Sequence, residues 1–317
     1  MPEAISYQEW LLRYEPSYSK KLNFELLTKA CLLVNQLGGD LELGLKIAEE
    51  LLPLNCDSQT IAASILFPTL HHLHPSFEQI EIYVPLAVSN LALGVEKMDA
   101  IEQIGHQRKG LKADNIRKMC LAMVDDVRIV LIKLAEQLAL LKGLRKGAPD
   151  QQQKIAQQVS EIYAPLANRL GVGHIKWQME DWSFRYLNPT EYKKISQALN
   201  MRRQDREVFI TRFIEQLRSI LKNGAVHSTK ISGRAKHIFS IYRKIHRKGI
   251  DFTQIYDTSA VRILVKTIED CYQALSIVHS TWQPIAAEFD DYIAKPKPNG
   301  YRSIHTVIIG PNDLNVE

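Results

Sequence analysis

The feature that most constrains this chain is a change of hydrophobic period close to Gly224. Before it, apolar residues recur at three- and four-residue spacing in "LLTKACLLVNQLGG", "LELGLKIAEELLPL" and "DSQTIAASILFPTLHHLHP", as in helices that bury one face. Gly or Pro closes these runs, and an Asp or Ser opens the third, which are helix stop and start signals. Asp114 to Leu144 reads as one long helix or two joined end to end, and "APDQQQKIAQQVSEIYAPLANRLG" as a helix that breaks near Pro165. "LNPTEYKKISQALNMRRQDREVFITRFIEQLRSILKNG" adds a further pair. After Gly224, "AVRILVK", "YRSIHTVIIG" and "LNVE" alternate with period two and are rich in β-branched residues, with helical patterns between them over Lys236 to Lys248 and Ile268 to Thr281. An all-α domain followed by an α/β or α+β domain is predicted.

The chain has 317 residues, room for two domains of roughly 150 residues each. It has no apolar run of the roughly 18 residues that would suggest a membrane span, and "MPEAISYQEW" lacks the basic and apolar regions of a signal peptide. Cys31, Cys56, Cys120 and Cys271 are scattered in apolar helical contexts and make no metal-type pair. They read as buried thiols in a reducing cytoplasm.

The net charge of +5 says little, but its distribution says more. "KISGRAKHIFSIYRKIHRKG", Lys230 to Gly249, carries seven lysines and arginines and no carboxylate. Ser232 can cap a helix here, with Gly233 giving a tight entry. Ile238, Ile241, Tyr242 and Ile245 form its buried stripe, and Lys236, Ser240, Lys244 and Arg247 form a second one. Cations at a helix N-terminus are unfavourable unless an anion joins them, so a polyphosphate competes here with plain solvation. In "YDTSAVRILV", Asp257 is either a metal ligand or a turn residue. Arg262 must meet a ligand, a carboxylate or solvent, because a strand-centre arginine is rarely buried unpaired. A regular strand from Tyr301 puts Tyr301, Ser303 and His305 on one face. The tyrosine can stack on a base, and the histidine can donate to phosphate or ribose. Lys295 and Lys297 lie on a proline-stiffened loop, where reaching phosphates loses little entropy. With Glu317, these are the parts phosphoryl transfer uses: carboxylates for Mg²⁺ and proton removal, cations on phosphates, a flat ring for a base.

"GRAKHIFSIYRK", "YDTSAVRILV", "EFDDYIAKPKPNGYRSIHT" and "VE" together closely resemble the synthetase domain of the long RelA/SpoT family. "NIRKMCLAMVDDVRIVLIKLAE" and "YAPLANRLGVGHIKWQMEDWSFRYL" are similar to the same family upstream. The resemblance implies a helical HD-type domain over 1–150, connecting helices over 151–200, and a nucleotidyltransferase-like mixed-sheet (p)ppGpp synthetase domain over 201–317. It implies transfer of the β,γ-pyrophosphate of ATP to the ribose 3′-OH of GDP or GTP, with Mg²⁺, leaving AMP. Carried onto this chain, it implies that Arg234 and Arg262 clamp adenine and that Lys236, Ser240 and Lys244 hold the ATP phosphates. Asp257 would bind Mg²⁺. Tyr301 would stack on guanine, with Lys297, Asn299 and His305 on the acceptor nucleotide. Glu317 would take the 3′-OH proton or share the metal. Asp257 and Arg262 have opposite parity, so Asp257 must precede the strand or a bulge must separate them.

The chain departs from the family pattern in three places. Bifunctional members carry "HDxxED" where this chain reads "FPTLHH", with Phe67 and Pro68 at the first two positions. They carry "ADRLHN" where it reads "AEQLAL", with Glu136 for the aspartate and Ala139 for the histidine. A pseudo-hydrolase is expected, with His71, His72 and His74 in a solvent-facing loop rather than a replacement metal site. "EFDD", Glu288 to Asp291, resembles the monofunctional synthetase branch. The family continues past "VE" into "VEIQIRT" and a helix. An N-terminal fragment is therefore expected, poorly active and without the region through which RelA-like proteins read uncharged tRNA on the ribosome. Two other classes stay open: a regulatory pseudoenzyme that binds guanine nucleotides without turnover, and an RNA-binding domain, which the carboxylates near the groove count against.

Overall fold

The computed structural model describes residues 6–73, 80, 82–107, 115, 117–119, 125–199, 203–224, 226, 230–249, 258–298 and 300–317. It divides into two compact units, Met1–Leu187 and Asn188–Glu317. The division falls inside the stretch expected to connect the domains.

The first unit is helical in its described residues. Its helices are α1 (Tyr7–Tyr18), α2 (Phe24–Leu37), α3 (Leu41–Leu51), α4 (Ser58–Leu73), α5 (Leu86–Gln107), α6 (Val127–Gly143), α7 (Pro149–Gln158), α8 (Ala164–Arg169) and α9 (Gly173–Leu187). Local chemistry sets their starts. Asn23 accepts from the Leu26 N–H at 3.1 Å, Asp57 from the Thr60 N–H at 2.8 Å, and Asp126 from the Arg128 N–H at 2.9 Å, each satisfying an orphan donor of a first turn. Residues 60–70 of α4 are all buried, as a centrally packed helix requires. Two expectations are corrected here. α4 runs on to Leu73, so His72 is an exposed helical residue rather than part of a loop; His74 lies outside the described residues. The chain does not break at Pro165. It passes from α7 through a π-helical turn, Val159–Tyr163, into α8, with Pro165 in the first turn, where a missing N–H costs little.

The second unit begins with α10 (Pro189–Ala198) and α11 (Arg203–Asn223). Then follow β1 (Lys230–Ala235), α12 (Ile238–Lys248), β2 (Ser259–Leu264) and α13 (Ile268–Thr281). Short strands complete it: β3 (Gln283–Pro284), β4 (Asp290–Asp291), β5 (Ile304–His305), β6 (Ile308–Ile309) and β7 (Asn315–Val316). β1 and β2 are antiparallel with Ser232 opposite Arg262, β4 pairs with β5, and β6 lies between β3 and β7. Glu317 joins two of these groups. Its N–H donates to Ser259 O at 2.9 Å, and its carbonyl accepts from the Val261 N–H at 2.8 Å. Phe213, Leu217 and Leu221 of α11 and Ala274 and Val278 of α13 form the core against Ile308 and Val316.

The basic segment is where the sequence reading needs most correction. Lys230–Ala235 is a strand, and the helix starts only at Ile238 with His237 at its N-cap. Ser232 therefore caps nothing, and Gly233 serves packing rather than a helix entry. A Cβ on Gly233 would lie 2.5 Å from Ile210 Cγ2 and 3.1 Å from Val261 Cγ2. The expected strand from Tyr301 is two short strands, β5 and β6, interrupted at Thr306 and Val307. Among the described cysteines, Cys31, Cys56 and Cys271 are free thiols. Burial pushes Cys31 up to about 12. Cys56 is half-buried in the turn before α4 rather than in a helix, and Cys120 lies outside the described residues.

Candidate functional site

A cleft of about 650 Å³ opens in the second unit. Arg234, Ala260 and Arg262 line it from β1 and β2, Tyr301, Ser303 and His305 from the β5 region, and Glu317 from beyond β7. Arg234 stands opposite Ala260 and Arg262 opposite Ser232, so the two arginines are diagonal neighbours on one sheet face. Both are exposed, while Val261 and Ile263 pack toward the core. The alternation read from "AVRIL" thus holds.

The wall that carries Tyr301 is hydrogen-bonded to the carboxylate. Glu317 Oε1 lies 3.1 Å from His305 Nδ1, and His305 Nε2 lies 2.9 Å from Tyr301 Oη. The two main-chain hydrogen bonds to β2 fix the position of Glu317 beside Ala260. The cleft therefore brings together Arg234, Arg262, Tyr301, His305 and Glu317 of the expected residues. Lys236, Ser240 and Lys244 do not line it. Lys236 precedes the α12 N-cap, its N–H donates to Thr258 O at 2.9 Å, and its carbonyl accepts from Arg206 Nη1 at 3.1 Å. Ser240 and Lys244 follow on α12, which has no acidic residue in its first turn. Lys297 sits beside the cleft with its ammonium 5.6 Å from the Tyr301 ring centroid. Asp257 and Asn299 lie outside the described residues.

Sequence reasoning missed Tyr292 and the role of Asp291. β4 and β5 form a hairpin with Asp291 opposite Ile304. Asp291 Oδ1 accepts from the Ile293 and Ala294 N–H groups at 2.9 and 2.8 Å, and Oδ2 accepts from the Tyr272 hydroxyl at 2.9 Å. Those donors, the Ala294 N–H foremost, hold its carboxyl below the usual carboxylate range. The last acid of "EFDD" is thus engaged in shaping the loop. An Asn-Gly flanked by alternating residues is a hairpin signal, but Asn299-Gly300 alone does not give the register that sets Tyr292 beside Ser303.

In the first unit, Phe67 is 1% exposed and Ala139 is buried. Lys133 Nζ lies 2.5 Å from Glu136 Oε2, both side chains being buried, and 5.9 Å from the Phe67 ring centroid. Among the described residues no group of three or more His, Cys, Asp or Glu could hold a metal ion. Nor is any helix there long and apolar enough to cross a membrane.

A family model described as "HD domain" matches residues 39–173, and one described as "Region found in RelA / SpoT proteins" matches residues 233–317. A GTP pyrophosphokinase of Escherichia coli (strain K12) is 45% identical over 278 residues, 86% of this chain and 37% of that protein. One of Haemophilus influenzae is 42% identical over 280 residues, 87% of this chain and 38% of that protein. This chain thus spans under two-fifths of the length of these two curated relatives. The crystal structure of small alarmone synthetase 1 from Bacillus subtilis is 23% identical, covering 35% of this chain and 64% of that one at a TM-score of 0.31. With a matching model in each unit and relatives above 40% identity across most of its length, the chain belongs to the RelA/SpoT family.

Proposed function

We propose that the second unit is a (p)ppGpp synthetase, moving the β,γ-pyrophosphate of ATP to the 3′-OH of GDP or GTP and releasing AMP. The observation that carries this reading is the hydrogen-bonded series Glu317, His305, Tyr301 lining the same cleft as Arg234 and Arg262. Diagonal positions on a two-stranded sheet are about 7–8 Å apart, roughly twice the ~3.5 Å contact distance between stacked atoms. One adenine ring fits between two guanidinium planes at that spacing. Lys236, just before the α12 N-cap, and Ser240 and Lys244 on α12 would receive the phosphates, at a helix N-terminus that favours anions. Tyr301, at 36% exposure, offers its ring to guanine, with Lys297 beside it and Asn299 assigned to the same nucleotide by motif position.

Glu317 is the base in this reading. A ribose hydroxyl is a weak nucleophile, and a carboxylate within reach of it can receive its proton. The His305 contact orients that carboxylate, and the backbone bonds to β2 hold it in place. Mg²⁺ fits the donor set. It is held through one or two carboxylates together with substrate phosphates, not by an all-protein cage, and the hard oxygens of Glu317 and, by motif position, Asp257 would hold it. Bound with ATP, it would offset the charge of the transferred group. The reading extends to the ribosome and uncharged tRNA as partners of the whole protein and to a cytoplasmic location; no residue of the cleft bears on either.

The first unit, on this proposal, does not hydrolyse ppGpp. Phe67 and Ala139 pack in the core, Pro68 has no side-chain donor, and Lys133 engages the Glu136 carboxylate. The test incubates the purified chain with labelled ATP and GDP, and separately with ppGpp and Mn²⁺. AMP and ppGpp should form in the first mixture, and no pyrophosphate should be released in the second. Nucleotide binding without AMP formation would move the chain to the pseudoenzyme class.

A further inference from the structure

We infer that Tyr292 is a positioning residue of the acceptor subsite, the seat that holds Lys297 for an anionic guanine nucleotide; this rests on the acceptor reading of Tyr301 above. Tyr292 is the first residue beyond β4, and its N–H donates to Ser303 O at 2.8 Å. Hairpin pairing therefore continues one step past Asp291 and Ile304. With a period of two, Tyr292, Tyr301, Ser303 and His305 fall on one face. The rings confirm it. Tyr292 and His305 stand 5.4 Å apart at 80°, and Tyr292 and Tyr301 stand 6.2 Å apart at 59°, within the range of favourable edge-on pairs.

Lys297 completes the cluster. Its ammonium is 4.1 Å from the Tyr292 ring centroid, against 5.6 Å from that of Tyr301. Tyr292 is thus its nearer support, and the Tyr301 ring remains exposed enough to take a base. The main chain closes the loop beneath them: Lys297 N–H donates to Tyr301 O at 3.2 Å, and Gly300 N–H to Lys297 O at 2.8 Å, with Gly300 at φ +77°. A lysine loses substantial rotamer freedom when fixed, and a seat that fixes it beforehand removes that loss from ligand binding. Arg234 and Arg262 are not part of this cluster, so the effect is confined to the guanine side.

The experiment measures GDP and ATP affinity by calorimetry for Tyr292→Leu, Tyr292→Phe, Lys297→Ala and the double variant Y292L/K297A. It also follows the methyl resonance of reductively methylated Lys297 in the ligand-free protein. Tyr292→Leu should weaken GDP by about 3- to 30-fold, the range of an ammonium–ring contact, and leave ATP unchanged. Tyr292→Phe should restore GDP binding to within about twofold, because the ring face remains. The double variant should lose little more than either single one. The Lys297 methyls should carry a ring-current shift that Tyr292→Leu reduces to the smaller contribution of the more distant Tyr301 ring. Unchanged GDP affinity in Tyr292→Leu, equal loss for both nucleotides, additive losses, or an unshifted Lys297 resonance in the wild-type chain would each overturn the inference. A wild-type chain that binds no GDP but shows the shift would instead sink the acceptor reading.

Discussion

Replacing Gly233 by alanine should loosen the sheet that carries Arg234. The added Cβ would lie 2.5 Å from Ile210 Cγ2 and 3.1 Å from both Ile214 Cδ1 and Val261 Cγ2. Carbon atoms in contact settle at about 3.5–4.0 Å, so the first approach is short by roughly 1 Å. The Ile214 terminal methyl can swing away. Ile210 Cγ2 cannot, because it sits on a β-branched carbon with a restricted χ1 and its residue is 4% exposed. Either β1 or α11 must shift, and such overpacking costs about 1–3 kcal/mol. Amide hydrogen exchange reads this by region, which suits a chain of two units. Peptides covering β1 and α11 should exchange about 5- to 150-fold faster where exchange follows opening equilibria, while peptides from α2 to α4 stay unchanged as an internal control. Ile210→Ala removes the obstructing methyl and alone costs about 2–5 kcal/mol. In that background Gly233→Ala should be close to neutral, a coupling of at least about 1 kcal/mol. Wild-type exchange in the single variant, or simple additivity in the cycle, would refute the argument that Gly233 exists for this close approach.

Tyr301→Ala should weaken the guanine nucleotide by about 1–3 kcal/mol of base stacking with little change in ATP binding; equal losses in a calorimetric comparison would make Tyr301 a structural residue. Arg262→Ala should reduce ATP affinity first, by about 0.5–2 kcal/mol, and normal ATP affinity in the folded variant would remove it from the donor subsite. Glu317→Gln should keep both nucleotides bound while stopping AMP release, and turnover near the wild-type rate would exclude it as the base. Lys133→Met should destabilise the helical unit by up to about 3–5 kcal/mol by breaking a buried ion pair, read in urea melts followed by circular dichroism; an unchanged midpoint would show that Glu136 does not depend on it.

How much of this was legible depends on the length of each pattern. α13 was readable because Thr267 and Asp270 form a capping box and the apolar spacing runs for fourteen residues. β2 was readable because Val261 and Ile263 alternate with Arg262 and Leu264 over a full strand. β1 was misread because Ser232 and Gly233 imitate a helix start, while the reason for the glycine, Ile210, lies more than twenty residues upstream. A strand of two residues such as β4 shows no period at all, so the hairpin that aligns Tyr292 with Ser303 was invisible without its register. Asp57 was anticipated as a helix opener, yet its ion pair with Arg128 Nη1 at 2.9 Å depends on tertiary packing that no local pattern encodes.

The docking of Glu317 onto β2 makes that strand a ruler. Glu317 is pinned beside Ala260 by its own peptide groups, and Arg262 stands two residues further along. At about 3.3 Å per residue, the acid and the arginine are offset by roughly 6.6 Å, whatever happens in the chain between them. The turns on either side of α13 can lengthen or shorten between homologues and leave that offset untouched. A single insertion between Ser259 and Arg262 would reset it and turn Arg262 to the opposite face. Relatives of this protein should therefore tolerate length change in the turns that flank α13 and be closed to it over those four residues.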